Sequence, residues 1–309
     1  MSALLAWTGN LNPELGWNLI EDIRQALEFP FMVNAFRAGA IVAVVSGLIG
    51  WFMVLRRQSF AGHTVAVVGF PGAAGAVLVG ISAAYGMVAF AIAAALLIAL
   101  VPGSNRRSFS EESAVTGTVQ AFALACGFLF VSLYGGFLGG ANALLFGSFL
   151  GITSSQVILL LVVAAGAIAV LAVIGRPLLF ASVDPAVAAA RGVPVRALSV
   201  VFLVLLAVAA AEVSQITGTL LVFALLVVPA ATAQLLTARP GRGLAITVVL
   251  GVAVTWVALF IAYFSPYPIG FFLTTLAFLT YLGAVGFRRL RAGLGTAHAR
   301  LAKVEAVTG

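Results

Sequence analysis

Long apolar runs separated by short polar islands repeat along the whole chain. They read as helices at roughly Ala38–Leu55, Thr64–Ile81, Met87–Val101, Val115–Leu133, Val157–Ile174, Leu198–Glu212, Thr217–Leu236, Leu244–Tyr263 and Gly270–Gly286. Each approaches or reaches the about 17–25 apolar residues that a helix needs to cross a bilayer. Alternating segments of about ten residues, the mark of a membrane barrel, are absent from the sequence, so the backbone must be satisfied within helices. Between the fourth and fifth runs, Gly135–Leu150 is apolar but rich in glycine and reads as a re-entrant or interfacial segment. Residues 1–33 show no basic stretch followed by an apolar core, hence no cleaved leader, and Trp17–Phe29 reads as an amphipathic helix lying along the interface. The pattern predicts an all-α polytopic membrane protein: a single transmembrane domain over residues 1–309, with about nine spans.

One polar island differs from the others. Phe180-Ala181-Ser182-Val183-Asp184-Pro185 runs on to Ala190-Arg191-Gly192-Val193-Pro194, between the apolar runs Ile158–Ile174 and Leu198–Ala211. Asp184 can cap a short helix that opens with Pro185, and Gly192 and Pro194 end it. A simple turn would join two spans, so a capped helix within 180–194 reads as a surface for something outside the membrane to grip.

Composition agrees: 63% of the 309 residues are hydrophobic and 8% charged, which no soluble domain could keep in solution. Basic residues fall in alternate loops, at Arg56-Arg57, Arg106-Arg107, Arg176 with Arg191 and Arg196, Arg239 with Arg242, and the tail 288–309; the intervening loops carry none. The positive-inside rule then puts the island and the C-terminus in the cytoplasm and the N-terminus outside. A net charge of +7 spread over membrane-flanking loops calls for lipid, not nucleic acid, as its partner. Cys126 is the single cysteine, which excludes intrachain disulfides and multi-thiolate metal sites. Lys303 is the single lysine and lies outside any Gly-x-x-x-x-Gly-Lys-Ser/Thr loop, so the chain holds no P-loop nucleotide. If ATP drives this protein, another polypeptide hydrolyses it, and the island is the natural docking surface.

Candidate chemistry inside the spans is sparse. No cluster of His, Asp or Glu has catalytic spacing, which argues against an enzyme. Pro71 and Pro229 interrupt apolar runs and remove a backbone donor, as gating bends or as passive features. Glu212 is the only carboxylate within an apolar run; such a group faces a cavity, pairs, or snorkels to the nearer surface. His63 lies near the cytoplasmic interface, where an imidazole serves as a ligand or as an ordinary hydrogen-bonding residue. His298, in the basic tail, reads as solvated. Small residues at Gly72 to Gly75, Gly135 to Gly140 and Pro229-Ala230-Ala231 allow close helix packing.

Four places in fixed order resemble the membrane permeases of bacterial ABC importers for zinc and manganese. Phe31-Met32 through Ala35, Gly39, Gly50 and Leu55-Arg56-Arg57 look like that family's first span. Ser59-x-x-Gly62 leads to Pro71-Gly72. Asp184…Ala188…Arg191-Gly192 resembles its cytoplasmic coupling helix, and Gly218 through Ala233, GTLLVFALLVVPAATA, its most recognisable stretch. The resemblance covers Phe31 to about Phe287. It implies a type II importer-like fold, a homodimer in the bacterial inner membrane, two ATP-binding cassette subunits docked inside, and an extracytoplasmic metal-binding protein. It implies no permanently bound cofactor, only a transported divalent metal such as zinc, manganese or iron. By the same resemblance Asp184, Pro185, Ala188, Arg191 and Gly192 serve ATPase coupling. Read from the residues themselves, Pro71, Gly72 and Pro229 are the expected bends of the pathway, and His63 and Glu212 are expected metal ligands at opposite ends of it, Glu212 toward the outside. The chain departs from the family at the cargo motif. Relatives carry Gly-Asp-x-x-Ser-His, whereas Gly62-His63-Thr64-Val65-Ala66-Val67 puts His63 at the aspartate and Val67 at the histidine. A remaining imidazole suits zinc, iron or nickel better than a hard cation. A chelate such as a siderophore or haem, or a stand-alone ion-coupled transporter, are the alternative readings. The latter is disfavoured because neither several intramembrane ionisable residues nor two similar halves are evident.

Overall fold

The structure, a computed structural model, describes residues 18–100, 109–134, 151–219 and 221–308, and every regular element among them is helical. In chain order these are α1 (Leu19–Glu28), α2 (Pro30–Leu55), α3 (Ser59–Leu78), α4 (Ala83–Leu100), α5 (Phe109–Leu133), α6 (Ser154–Val183), α7 (Pro185–Ala190), α8 (Val195–Thr217), α9 (Val222–Leu236), α10 (Pro240–Tyr263) and α11 (Ile269–Thr308). Eight of them are long and apolar enough to span a bilayer, and α9 is a shorter apolar helix. The expectation for Gly135–Leu150 lies outside the described residues, as does that for Arg106-Arg107.

Burial separates the spans into two sets. In α2, α3 and α8, 67–72% of the most apolar stretch is buried within the chain, against 11–33% in α4, α5, α6, α10 and α11. The first three are therefore the interior. α4 and α5 pack on α3, α6 packs on α2 and α8, and α9 and α10 pack on α2, with α11 against both. Helices apolar on all sides suit this arrangement, because lipid accepts the faces that the bundle leaves open. α1 shows the opposite logic to a soluble helix. Asp22 and Ala26 turn inward while Ile20, Ile23 and Leu27 are exposed, as an interfacial helix with its apolar side in lipid requires.

Backbone contacts fix two of the crossings. Gly72 and Gly86 face each other so closely that a Cβ on either would collide with the other's carbonyl oxygen, locking α3 onto α4. A Cβ on Gly50 would collide with the Leu226 carbonyl, locking α2 onto α9. Contacts of this kind replace the missing hydrophobic drive between helices in lipid.

Helix ends depart from the sequence expectation in two places. α6 does not stop near Ile174. It continues through Arg176 and Pro177 to Val183, a length of about 45 Å that carries its last turns beyond a bilayer. No breaker precedes Asp184-Pro185, and a proline within a helix removes one bond without ending it. The span expected at Thr217–Leu236 is interrupted at its start: α8 ends at Thr217, Gly218 takes φ +78°, and α9 begins only at Val222. Residues 288–308, read as a tail, continue α11 as helix.

Candidate transport pathway and coupling site

α7 forms as its sequence predicts. The Val187 N–H donates to Asp184 Oδ1 at 3.0 Å, and Pro185 occupies the first turn, where its missing N–H costs nothing. At the other end Gly192 adopts φ +80°, while its N–H and that of Val193 return to the carbonyls of Ala189 and Ala188. This paired closure is a Schellman motif with glycine at its left-handed position. Ala188 is buried and anchors the helix, whereas Asp184, Pro185, Arg191 and Gly192 are exposed. So are Val183 and Val187, at 72% and 45%, which gives the protruding end of α6 and α7 an apolar knob with a polar rim.

The turn from α2 to α3 lies at the same face. It closes as a second Schellman motif, with Arg57 N–H on Val54 O and Gln58 N–H on Met53 O, but here a non-glycine residue, Arg57, holds φ +59°. Beside it Arg56 donates from Nε to Gln58 Oε1 (3.1 Å), from Nη1 to Ser182 Oγ (3.2 Å) and from Nη2 to Ser199 Oγ (2.7 Å). Its guanidinium lies over the Phe202 ring, 5.4 Å from the centroid. Burial pulls the Arg56 pKa below its ordinary value, yet an arginine starts so high that it remains charged. The sequence marked Arg56 as a topology charge and within the Leu55-Arg56-Arg57 exit of the first span, but not as a junction. Its partners were visible only as two serines, Ser182 within the island and Ser199 just after it.

Deeper in the bundle a few polar groups stand without partners, although others, such as Thr64 on Gln120 Oε1, are bonded. Glu212 is 2% exposed, and neither carboxylate oxygen meets a hydrogen-bond partner among the described residues. The reading of Glu212 as a snorkelling surface residue therefore does not hold. Ser46 Oγ and Thr219 Oγ1 are likewise buried and unpartnered, and so is Nδ1 of half-buried His63. His63 presents its ring edgewise to Phe223 of α9, with centroids 5.4 Å apart and planes at 81°. Ser46, Gly50 and Met53 share one stripe of α2, which meets α9 at Leu226 and α3 at Gly62. Ser46 thus shares the α2 face that meets α9, two turns from the level of His63. Thr219, in the break after α8, reaches Gly69 midway along α3, its methyl 3.9 Å from where a Cβ would stand.

His63 and Glu212 are not brought together. Leu206 of α8 lies level with Gly62, 3.5 Å from the position of a Cβ there, and α8 rises roughly 9 Å more before it reaches Glu212. The imidazole is thus nearer the α7 face and the carboxyl deeper. No group of three or more His, Cys, Asp or Glu side chains gathers among the described residues. Pro71 and Gly72 are engaged by α5 and α4: a Cβ on Gly127 would lie 3.2 Å from Pro71 Cα. Pro229 is buried within α9. Ser46 and Thr219 were missed by sequence reasoning, because a serine or threonine in an apolar span bonds to its own helix by default, as Ser214 and Thr217 do here.

Comparison with known proteins gives a consistent result. The manganese transport system membrane protein MntC of Listeria innocua is 30% identical over 240 residues, covering 77% of this chain and 83% of that protein. The chelated iron transport system membrane protein YfeC of Yersinia pestis is 29% identical over 269 residues, 87% and 90% of the two chains. Among solved structures, PsaBC from Streptococcus pneumoniae in complex with Fab superposes with a TM-score of 0.76 at 25% identity, covering 86% of this chain and 95% of that one. Residues 28–288 match the ABC 3 transport family from the interfacial helix to the end of the last span, and the chain belongs to that family.

Proposed function

We propose that this chain is the permease subunit of an ABC importer carrying a divalent transition metal ion, manganese, zinc or iron, into the bacterial cytoplasm. A separate ATPase subunit docks on α7, a second copy of the chain completes the path, and an extracytoplasmic metal-binding protein delivers the ion. The observation that carries the reading is α7: a helix capped at both ends, anchored on the bundle by Ala188 at the end of an over-long α6, with Val183 and Val187 exposed. Arg176, Arg191 and Arg196 flank it in sequence and Arg56 is bonded to the helices on either side of it, supporting a cytoplasmic position for it and for the C-terminus. Hydrolysis belongs to the partner, since the sole lysine offers no phosphate loop.

In this mechanism each copy supplies few donors. Glu212 offers a carboxylate deep in the bundle, and His63 offers Nδ1 nearer the cytoplasmic face. Sparse ligation suits a cargo that must leave as readily as it enters. A second reading, a chelated metal as cargo, is favoured by one observation: His63 and Val67 replace the acid and imidazole that relatives carry.

The test is reconstitution in liposomes with the candidate ATPase. ATP-dependent uptake of a free divalent metal is expected, with loss of ATPase binding in the Asp184→Ala, Arg191→Ala double variant. Uptake of a siderophore or haem complex alone would select the second reading. Wild-type protein that transports without any ATPase would sink both.

A further inference from the structure

We propose that Arg56 is the positioning residue through which movement of α7 reaches the transport pathway. The inference rests on the reading of α7 as the ATPase docking site. Ser182 is in the last turn of α6, immediately before the cap of α7, and Ser199 is near the start of α8, immediately after it. One guanidinium thus ties together α6 and α8, the two helices that flank α7, and its Nε donates to Gln58 in the turn that opens α3. His63 stands one turn further along α3.

The polarity of the junction is fixed. Ser182 Oγ donates to Leu178 O at 2.5 Å and Ser199 Oγ donates to Val195 O at 2.9 Å, so each hydroxyl has only lone pairs left for Arg56. No carboxylate among the described residues pairs with Arg56, so its charge is neutralised by oriented dipoles and by the Phe202 ring. A planar guanidinium reaches three acceptors in fixed directions at once. An ammonium on a flexible stem, as in lysine, does not. A displacement of α7 that shifts the end of α6 or the start of α8 must then either carry the α2–α3 turn along or break this junction. The α3 segment that holds His63 follows the turn.

The experiment measures metal ions imported per ATP hydrolysed in liposomes holding the complete complex, for wild type, Arg56→Lys and the Ser182→Ala, Ser199→Ala pair. Complex assembly and ATPase rate are recorded on the same samples. Arg56→Lys is expected to assemble and hydrolyse ATP while ions per ATP fall roughly tenfold. The serine pair keeps the arginine and should reproduce the fall, which a general loss of stability would not do at equal assembly. An unchanged ratio in either variant overturns the proposal. Should Arg56→Lys fail to assemble, the serine pair decides alone. Wild-type protein that binds no ATPase would instead remove the docking reading, and the proposal with it.

Discussion

The two polar regions of this bundle are built on opposite rules. At the coupling face the groups of the Arg56 junction and the α7 cap are engaged: Asp184 caps α7, Gln58, Ser182 and Ser199 accept from Arg56, and the serine hydroxyls donate to helix carbonyls. In the bundle interior Glu212, Ser46, Thr219 and His63 Nδ1 have no partner among the described residues. Burying an unpartnered polar group costs folding free energy, and burying a carboxyl costs more. A region that only transmits force gains from satisfying its donors and acceptors, because a fully bonded junction is stiff. A region that must hold and release a passing cation keeps acceptors free. On the proposed function the contrast matches a mechanical end and a transport interior, and substitutions at the two should move stability in opposite directions.

The largest effect is expected at Glu212. Glu212→Leu removes an orphan carboxyl from the interior, so thermal unfolding in lipid nanodiscs should move upward, by about 1–3 kcal/mol of stability. Metal uptake in the reconstituted complex should fall at least about tenfold, as for loss of a metal-contacting group. A variant that is less stable would show that Glu212 has a partner after all and would erase the contrast.

Ser199→Ala tests the other side. It strands Arg56 Nη2 without its shortest bond, and hydrogen bonds to charged groups contribute about 1.5–3 kcal/mol. The melting temperature should therefore drop, opposite in sign to Glu212→Leu, while the volume of the side chain barely changes. An unchanged melting curve would mean that solvent substitutes freely at the junction.

His63→Asp sharpens the comparison within the interior. It restores the acid that relatives carry at this position, and a hard carboxylate favours manganese over zinc relative to an imidazole. In competition uptake the manganese-to-zinc ratio should rise several-fold, on the order of the differences that ligand softness produces. No change in ratio would place His63 outside the cargo path and leave its contact with Phe223 as packing.

What the sequence revealed follows from the range of the interactions involved. The membrane class and the positions of the spans were legible because lipid demands long continuous apolar runs. α7 was legible because its signals, Asp184, Pro185 and Gly192, act within a few residues. The Arg56 junction was not, since its partners lie 126 and 143 residues away and serines in apolar helices normally bond to their own carbonyls. The sequence placed the break too early, because Glu212, Ser214 and Gln215 read as a loop, whereas α8 runs on to Thr217 and the chain turns at Gly218. Glu212 was visible as an intramembrane acid, but its burial and lack of partners depend on how α8 packs into the bundle.

The smallest effect belongs to Arg57, and it asks whether the mechanical end is as fully optimised as its hydrogen bonds suggest. The turn after α2 closes with the same Schellman bonds as the turn after α7, yet where the latter uses Gly192 the former uses Arg57 at φ +59°. A side chain in the left-handed region costs about 1–2 kcal/mol that glycine avoids. Glycine returns part of that through its greater freedom in the unfolded chain, about 0.4–1 kcal/mol. Arg57→Gly should therefore raise stability by less than about 1 kcal/mol with the Arg56 bonds intact. If that gain comes with unchanged uptake per ATP, Arg57 is there as an exposed cation at the membrane surface. If uptake per ATP falls while stability rises, the arginine at this turn is part of the junction, and the comparison would have to extend it by one residue.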